Sequence, residues 1–442
     1  MNAWKTTRSA AVMLVLTAPL SAQQRLALVG GMLIDGYERP PIHHAAILIE
    51  GNRIVAVGAA DDIEIPPGTR VIDTSGRTML PGLIDMHAHL DLVGHGDYDR
   101  WYEFVAETDR IEEVMEITSK QLIDAGVTTA LDLGASLDIL KVRERVRRGE
   151  IPGPRIYTSG PWITRVRLAG VPDELQNVVT SPEEAAAKAH ELIDAGVDVI
   201  KTWVGLTQAD FDAIVEAAHS RGVRVHAHLY EPEAIRKAID AGVDVFQHMG
   251  SGGNPPYEEA LVAEIAHKGI PVVQTISHRI WVYPATLAFP ERLQDPRLQE
   301  DLPPDMYEEL QRSFVDFERL GYFRTTPRQI RNSKVAARQL IEANVVMAMG
   351  TDAASPLNFH TEAAWREISA LVDSGMSPME AISAATKTGA EVLGLGEDLG
   401  TIEPGKLADI IVVSGNPLFD INMLANVEVV VKDGRVMKGG DR

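Results

Sequence analysis

The middle of the chain alternates short apolar runs with amphipathic helical patterns, and this alternation restricts the possible folds most strongly. Helical patterns lie, for example, at residues 181–195, 208–221 and 231–241. Apolar runs that predict strands lie between such patterns, at residues 83–88, 127–133, 155–159, 197–203, 223–228, 243–248, 270–276 and 345–351. Apolar strands separated by helices are typical of a parallel sheet that is covered on both faces. Eight such units predict a (β/α)8 TIM barrel, and a doubly wound open sheet is the alternative.

Both ends of the chain carry strand patterns without intervening helices. Two apolar runs, at 46–50 and 53–58, flank Gly51-Asn52, a pair that is typical of a hairpin turn. Similar runs lie at 408–413 and 427–434. We therefore expect residues 23–80 and 400–442 to form one small β-sandwich domain, which leaves residues 81–399 for the barrel.

The first 22 residues predict a signal peptide. Lys5 and Arg8 precede an apolar run at 10–20, and small residues around Ala22 follow it. The run is too short to span a bilayer comfortably, although a retained N-terminal anchor is the alternative. The sequence thus predicts an exported protein, either periplasmic or secreted.

The composition excludes several classes of protein. The formal net charge of -21 would repel a phosphate backbone, so we expect no nucleic-acid partner. The chain has no cysteine, which excludes disulfides and thiolate metal sites and leaves histidine and carboxylate as the metal ligands. We expect a small-molecule substrate and no membrane span after removal of the signal peptide. A homo-oligomer is possible.

Residues of the kind that bind metals follow five of the eight predicted strands. His87 and His89 are spaced i, i+2 at the end of the first strand, which places both side chains on one face. The other strands contribute Lys201, His226 and His228, His248, and Asp352. The C-terminal ends of barrel strands share one rim, where active sites lie. Imidazole and carboxylate groups converging there predict a transition-metal site.

Lys201 needs a separate explanation, because an ammonium group has no lone pair with which to bind a metal. Burial near a metal would lower its pKa, and the neutral amine could then add carbon dioxide. The resulting carbamate is anionic and has two oxygens, so it could bridge two cations. A structural salt bridge or a bound substrate carboxylate is the alternative role.

These residues together resemble those of the amidohydrolase superfamily. The resemblance includes the two histidines of strand one, the strand-four lysine, the histidines after strands five and six, and the strand-eight aspartate. It also includes the sequence Gly-Thr-Ile-Glu-Pro-Gly-Lys-Leu-Ala-Asp at 400–409 and covers nearly all of the chain after the predicted signal. Within the superfamily, the chain is most similar to imidazolonepropionase-like amidohydrolases with a carboxylated lysine. These include prolidase-like Xaa-dipeptidases and ochratoxin amidases.

The resemblance implies a binuclear site with six ligands, namely His87, His89, Lys201, His228, His248 and Asp352. The first two histidines and the aspartate would hold one ion, the last two histidines the other, and carboxylated Lys201 would bridge them. At strand five the resemblance favours His228, with His226 as the alternative. Two divalent ions, expected to be Zn²⁺, would share a bridging hydroxide.

The resemblance also implies roles in proton transfer. Asp352 is the expected catalytic residue, which takes a proton from the attacking water and passes it to the leaving amine. Asp85 lies two residues before His87. It is expected either to orient a metal ligand or to face the sandwich domain.

Two regions predict contacts with the substrate. Tyr230 lies two residues after His228, and His278 follows strand seven, so both are candidate substrate-binding residues. Residues 277–326 form a long, proline-rich connection, which predicts a lid or a substrate wall. Other candidates for the pocket are Arg165, Arg167, Arg279 and Trp281.

The predicted function is hydrolysis of an amide or peptide bond in an N-acyl amino acid or an Xaa-dipeptide. Hydrolysis of a lactone, a phosphotriester or a cyclic amide on the same scaffold is the alternative. A non-catalytic binding protein is less favoured, because it predicts gaps in the ligand set and all six positions are filled.

Overall fold

The computed structural model of this protein describes residues 25–250, 256–315 and 326–440. The signal peptide predicted at residues 1–22 lies outside these ranges and stays a prediction. The described chain combines a parallel β-barrel, helices that cover it, and a sandwich made from both ends of the chain.

The sandwich consists of two sheets. The strands of one sheet are, in spatial order, Arg53–Ala59, Ala45–Glu50, Arg25–Val29 and Arg70–Asp73. Those of the other are Arg435–Lys438, Val427–Lys432, Ile410–Ser414, Arg77–Pro81 and Met32–Leu33. Antiparallel pairing of Arg77–Pro81 with Ile410–Ser414 joins the two ends of the chain in one sheet. The hairpin predicted at Gly51 is confirmed, with that glycine in the left-handed region at φ 62°.

All eight strands predicted for the barrel are present. They are Leu83–Ala88, Val127–Asp132, Arg155–Thr158, Val199–Thr202, Arg224–His228, Val245–Gln247, Val272–Gln274 and Met347–Met349, called barrel strands one to eight below. The N–H groups of Thr351 and Asp352 donate to the carbonyl of His87 at 3.2 and 2.7 Å, which joins strand eight to strand one. The backbone N–H of Asp198, just before strand four, donates to the carbonyl of Thr158, at the end of strand three, at 2.8 Å. The sheet therefore closes on itself, which confirms the barrel over the open sheet.

Helices follow the strands where amphipathic patterns predict them. Helix Pro182–Ala195 shows the local signals well: the Ser181 hydroxyl accepts the N–H of Glu184 at 3.2 Å, and Gly196 ends the helix at φ 100°. Two further strands, Trp162–Thr164 and Gln176–Val178, follow strand three in the sequence. The first pairs with strand four, and the second pairs with the first.

The remaining helices and turns lie around the barrel, above its rim and in the sandwich. Short 3₁₀ turns lie at Ala60–Asp62, Asp173–Leu175, Pro290–Gln294 and Ile421–Ala425, and a π-helical turn at His278–Val282. The α-helices besides Pro182–Ala195 are Tyr98–Thr108, Ile111–Asp124, Ile139–Arg147, Gln208–His219, Pro232–Ala241, Glu259–Lys268, Tyr283–Ala288, Pro296–Asp301, Pro304–Ser313, Thr326–Glu342, Ala363–Ser374, Pro378–Ala384 and Lys387–Leu393. Among the residues that the structure describes, no helix combines the length and the apolar character needed to cross a bilayer.

Two insertions pack together above the C-terminal ends of the barrel strands. One is helix Tyr98–Thr108, after strand one, and the other is the segment 278–313, after strand seven. We call these two segments the lid. They share an apolar cluster of their own, separate from the barrel core, to which Trp101, Met306 and Leu310 contribute fully buried side chains. The lid is therefore a packed layer over the rim.

Candidate metal centre

His87, His89 and Asp352 converge on one point at the centre of the rim. Nε2 of His89 lies 3.2 Å from Oδ1 of Asp352, and Nε2 of His87 lies 3.6 Å from the same oxygen. Ligand atoms of all three residues lie within 4.8 Å of one another. His87 lies in strand one and His89 directly follows its last residue, Ala88, so the alternation of the extended chain places both side chains on the inward face of the barrel.

His228 and His248 form a second group directly beside the first. Their ring centroids are 4.2 Å apart, and that of His248 is 4.9 Å from the ring of His87. His228 ends strand five and His248 follows strand six. Five side chains predicted as ligands therefore meet at the rim, in two adjoining groups.

The backbone is unusual at two of these positions. His248 and Asp352 have φ angles of 42° and 53°, in the left-handed region that residues other than glycine rarely occupy. Such a residue costs on the order of 1–3 kcal/mol and is found mainly at functional sites. At His248 the turn allows two consecutive side chains, those of Gln247 and His248, to contact His87.

Lys201 is fully buried on strand four, in the same region. Burial lowers the pKa of its amine to about 7, although the charges of Asp352 and Asp132 act in the opposite direction. Burial also lowers the pKa values of His87 and His228, and the charge of Lys201 lowers them further. The amine is thus within electrostatic range of both groups, and a substantial fraction of it is neutral near pH 7.

Several buried nitrogens at this centre make no hydrogen bond with the part of the chain that the structure describes. These atoms are Nε2 of His87, Nδ1 of His228 and Nζ of Lys201. A buried polar atom left in that state costs about 1–3 kcal/mol. Cations would satisfy the imidazole lone pairs and the carboxylate of Asp352 together. The donor set therefore fits divalent metal ions.

The two histidines of strand five have different surroundings. His228 lies against His248, whereas Nδ1 of His226 accepts the side-chain N–H of Gln247 at 2.9 Å. Burial, and then the charge of Lys201, lowers the pKa of His226 to about 3, so its imidazole is neutral. The structure thus places His228 beside His248, whereas His226 contacts Gln247.

The predicted substrate-binding residues separate into two sets. Tyr230 lies beside the second group, with its ring 4.3 Å from that of His228. His278 begins the π-helical turn of the lid, and its side chain lies outside the described part of the structure. Arg279 is 3% exposed, and its charge contributes to lowering the pKa values of His228 and His248. Arg279 and Tyr230 therefore both act on the second group.

Three further pocket candidates are occupied by other contacts. Arg165 binds both carboxylate oxygens of Asp210, at 2.6 and 2.9 Å. Arg167 pairs with Asp173 at the surface. The Trp281 ring lies under the guanidinium group of Arg366, 3.1 Å from its centroid. These contacts explain the positions of the three side chains without a substrate.

Asp85 joins barrel strands one and eight below the metal centre. Its Oδ1 accepts the N–H groups of His87 and Thr351, each at 3.0 Å, and its Oδ2 accepts the Thr351 hydroxyl at 2.6 Å. Of the two predicted roles, the structure thus favours orientation of a ligand strand. Asp352, one residue after Thr351, is held in place by the same contacts.

Sequence reasoning missed four residues near the centre. Asp132 ends strand two and accepts the N–H of Leu90, next to His89, at 2.8 Å. Glu367 is buried and accepts the N–H groups after strand seven. The others are Trp203, whose ring lies 3.8 Å from that of His228, and Gln247. Asp132 and Gln247 were detectable, because each is a polar residue at a strand end.

Comparison with known proteins agrees with the geometry. The model of the amidohydrolase family matches residues 78–437. An imidazolonepropionase of Geobacillus kaustophilus is 26% identical over 415 residues, which are 90% of each chain. A crystal structure of an Xaa-Pro dipeptidase with bound methionine superposes with a TM-score of 0.74 at 27% identity, covering 94% of this chain and 100% of that one. Ochratoxinase of A. niger shares the fold at a TM-score of 0.73 and 23% identity, over 94% and 96% of the two chains.

The family match extends from the end of the sandwich's N-terminal part, through the whole barrel, into its C-terminal strands. The resemblance expected from the strand-end residues and the predicted fold class are thereby confirmed. Metal ions are generally used in this family, in agreement with the His/Asp cluster. The chain belongs to the amidohydrolase family and is a hydrolase that acts on carbon–nitrogen bonds.

Proposed function

We propose that this protein is a binuclear metal-dependent hydrolase of an amide or peptide bond whose substrate carries a carboxylate next to that bond. The observation that carries the proposal is the meeting of two histidine groups at one buried rim, with Asp352 in the first group and Lys201 within range of both. We assign one divalent ion to His87, His89 and Asp352 and the other to His228 and His248. We take both to be Zn²⁺, because histidine and carboxylate ligands suit that ion.

Lys201 would complete the site as a carbamate. Its neutral amine adds carbon dioxide with loss of one proton, which turns R–NH2 and CO2 into R–NH–COO⁻ and H⁺. The pKa of about 7 supports this reaction, because a large part of the amine is neutral near pH 7. The product would replace a buried amine, whose protonated form repels cations, by an anion with two oxygens, which suits two neighbouring cations better.

Asp352 would transfer the proton during the reaction. When bound, the divalent ions lower the pKa of a water molecule and polarise the carbonyl of the scissile bond. Asp352 directly follows Thr351, whose backbone N–H and hydroxyl both bind Asp85, and the Asp352 carboxylate lies close to His87 and His89. From this position it accepts the water's proton and returns it to the leaving nitrogen.

The substrate class follows from the charge beside the second group. Arg279 is buried, and its charge contributes to lowering the pKa of His228, whose ring lies beside that of Tyr230. A guanidinium group binds carboxylate through two parallel hydrogen bonds. We therefore assign dipeptides and N-acyl amino acids as substrates, in agreement with the named activity of the Xaa-Pro dipeptidase that superposes on this chain.

The test is a substrate panel with metal analysis in parallel. The panel pairs each dipeptide or N-acyl amino acid with its C-terminal carboxamide, which lacks the charge. The proposal predicts hydrolysis of the carboxylates and at least about tenfold lower kcat/KM for the carboxamides. Hydrolysis of lactones or phosphotriesters alone would contradict it, and so would the absence of both metal and turnover.

Variants of Arg279 sharpen this test. Arg279→Met should raise KM for the carboxylate substrates about tenfold or more, because one charge-assisted contact is worth about 1.5–3 kcal/mol. It should leave the values for the carboxamides nearly unchanged. Arg165→Met is the matched control, since Arg165 binds Asp210 and should not affect KM. Equal losses for carboxylates and carboxamides would contradict the assigned role of Arg279.

We also propose that the protein is exported and loses residues 1–22. The support is the basic, then apolar, then small-residue pattern of that segment. Expression of the full chain in a bacterium and mass spectrometry of the periplasmic fraction would test it. A mature protein beginning near Gln23 is expected, and an intact chain in the cytoplasm would contradict it.

A further inference from the structure

A buried chain of hydrogen bonds lies behind His87. Oε1 of Gln247 lies 2.8 Å from Nδ1 of His87, and Nε2 of Gln247 lies 2.9 Å from Nδ1 of His226. The three residues are 0%, 0% and 1% exposed. Because solvent does not reach these side chains, each hydrogen bond restricts the orientation and the proton position of the ring it contacts.

The carboxamide of Gln247 imposes opposite proton positions on the two rings. Its oxygen can only accept, so His87 carries its proton on Nδ1; its nitrogen can only donate, so His226 has a lone pair on Nδ1. A neutral imidazole protonated on Nδ1 has its lone pair on Nε2. Nε2 of His87 is the atom that lies 3.6 Å from Asp352 and makes no hydrogen bond with the described residues.

The reverse orientation of the carboxamide would disable the site. The amide nitrogen of Gln247 would then donate to Nδ1 of His87, and the proton of that ring would move to Nε2. A protonated Nε2 cannot bind a cation. In the observed orientation His226 is the acceptor that the amide nitrogen needs, since an unpaired buried N–H would cost about 1–3 kcal/mol.

We propose that Gln247, supported by His226, is a positioning residue that keeps His87 in the tautomer able to bind a metal ion through Nε2. The inference rests on the proposed function in one respect, the identity of His87 as a ligand. It gives His226 a role beside the ligand His228, on the same strand. It also agrees with the left-handed backbone at His248, where the consecutive residues Gln247 and His248 both contact His87.

Metal affinity tests the inference through two substitutions at one position. Gln247→Leu removes both hydrogen bonds at similar volume, and Gln247→Glu keeps an acceptor facing His87. Loss of an outer contact to a metal-bound histidine typically lowers metal affinity about 10- to 100-fold. Competition with a chelator should show that loss for Gln247→Leu and affinity at or above the wild-type value for Gln247→Glu. Gln121→Leu, at a buried glutamine of helix Ile111–Asp124, is the matched control and should not change affinity.

A second pair of variants examines His226. His226→Asn places an amide oxygen where Nδ1 accepts, and His226→Leu leaves the Gln247 amide nitrogen without an acceptor. We expect near-normal metal affinity in the asparagine variant and a loss of about tenfold in the leucine variant. Equal affinities in both variants would overturn the role of His226.

The tautomer itself can be observed without metal. In protein with ¹⁵N-labelled histidine, the His87 signals are identified by their absence in His87→Gln. The inference predicts a proton on Nδ1 of His87 in the metal-free protein and a mixture of tautomers in Gln247→Leu. A proton on Nε2 in the wild type would overturn it. If the wild type binds no metal but His87 is protonated on Nδ1, the proposed function fails and the tautomer control stands.

Discussion

The metal centre and the lid are built in different ways. At the metal centre, the candidate ligands lie at or just after the ends of the barrel strands. The pairing of these strands fixes the direction of each side chain. In the lid, contacts between distant segments hold the layer together. Arg100 binds Glu309 across 209 residues of sequence. Just before the first lid helix, the N–H of Gly96 donates to the Ser313 hydroxyl at 2.9 Å. The first arrangement depends on register and the second on side-chain packing.

This difference predicts separate responses to substitution. A change at the metal centre should alter chemistry or metal affinity while the fold persists, because the strands have their own hydrogen bonds. A change in the lid should loosen that layer and raise KM, while the metal content stays constant.

The largest effect is expected for Asp352→Asn. An amide cannot accept the proton that the carboxylate transfers, so kcat should fall by about 10²–10⁴-fold. The circular dichroism spectrum and the thermal midpoint should remain close to those of the wild type. Asp240→Asn, at an exposed helical position, is the control and should keep full activity. Near-normal turnover by Asp352→Asn would refute its catalytic role.

Met306→Ala should have the largest effect on the lid. Met306 is fully buried in the apolar cluster of the lid, and truncation of such a side chain costs about 2–5 kcal/mol. We expect faster proteolysis within 283–313 and a higher KM, with unchanged metal content. Met79→Ala removes the same side chain from the sandwich core and serves as the control. Loss of metal in Met306→Ala would show that the lid and the centre are not separable.

Glu309→Gln should have a smaller effect on the same layer. The Glu309 carboxylate accepts from Arg100 at 2.9 Å and lies 3.6 Å from Nε2 of His95. Arg100 is 46% exposed, so the expected destabilisation is only about 1 kcal/mol. Urea denaturation and protease sensitivity of the lid measure it. Glu308→Gln, at an exposed neighbour, is the control, and equal effects of the two substitutions would contradict the role of the buried carboxylate.

The last effect is a change in the pH dependence of stability at the junction between the two regions. Glu367 accepts the N–H groups of Ile276 and Ser277 at 3.0 and 2.7 Å, and burial raises its pKa to about 8. Between its ordinary pKa near 4.5 and pH 8, the folded state binds more protons than the unfolded state. The contribution of this group to the free energy of unfolding therefore decreases as the pH rises through that window.

Glu367→Gln removes this contribution, since an amide does not titrate. The stability of the wild type relative to the variant should therefore fall as the pH rises from 5 to 8. Denaturation curves at several pH values measure it, with Glu216→Gln at an exposed position as the control. Parallel pH profiles for the wild type and Glu367→Gln would contradict this account.

The same difference explains what could be predicted from the sequence. The eight barrel strands and the residues at their ends were predictable, because a strand's apolar run and the polar residue that follows it are adjacent in sequence. The helices of the lid were not, because proline-rich segments such as 283–313 acquire their structure by packing on helix Tyr98–Thr108.

Residues that act through another side chain were also missed. Glu367 lies in the middle of helix Ala363–Ser374, where its acidic side chain resembles an exposed one in sequence. Its burial depends on the approach of the chain after strand seven. Arg165 shows the reverse case, because its position after strand three suggests the pocket, whereas its pairing with Asp210 joins segments that are distant in the sequence.

The central claim, that two adjoining groups of ligands hold two metal ions, is tested most directly by metal analysis. Protein purified without added metal would be measured by inductively coupled plasma mass spectrometry, beside the His87→Ala and His248→Ala variants. We expect about two equivalents of divalent metal per wild-type chain and clearly fewer in each variant. A wild-type chain without bound metal, or variants that keep both ions, would contradict it.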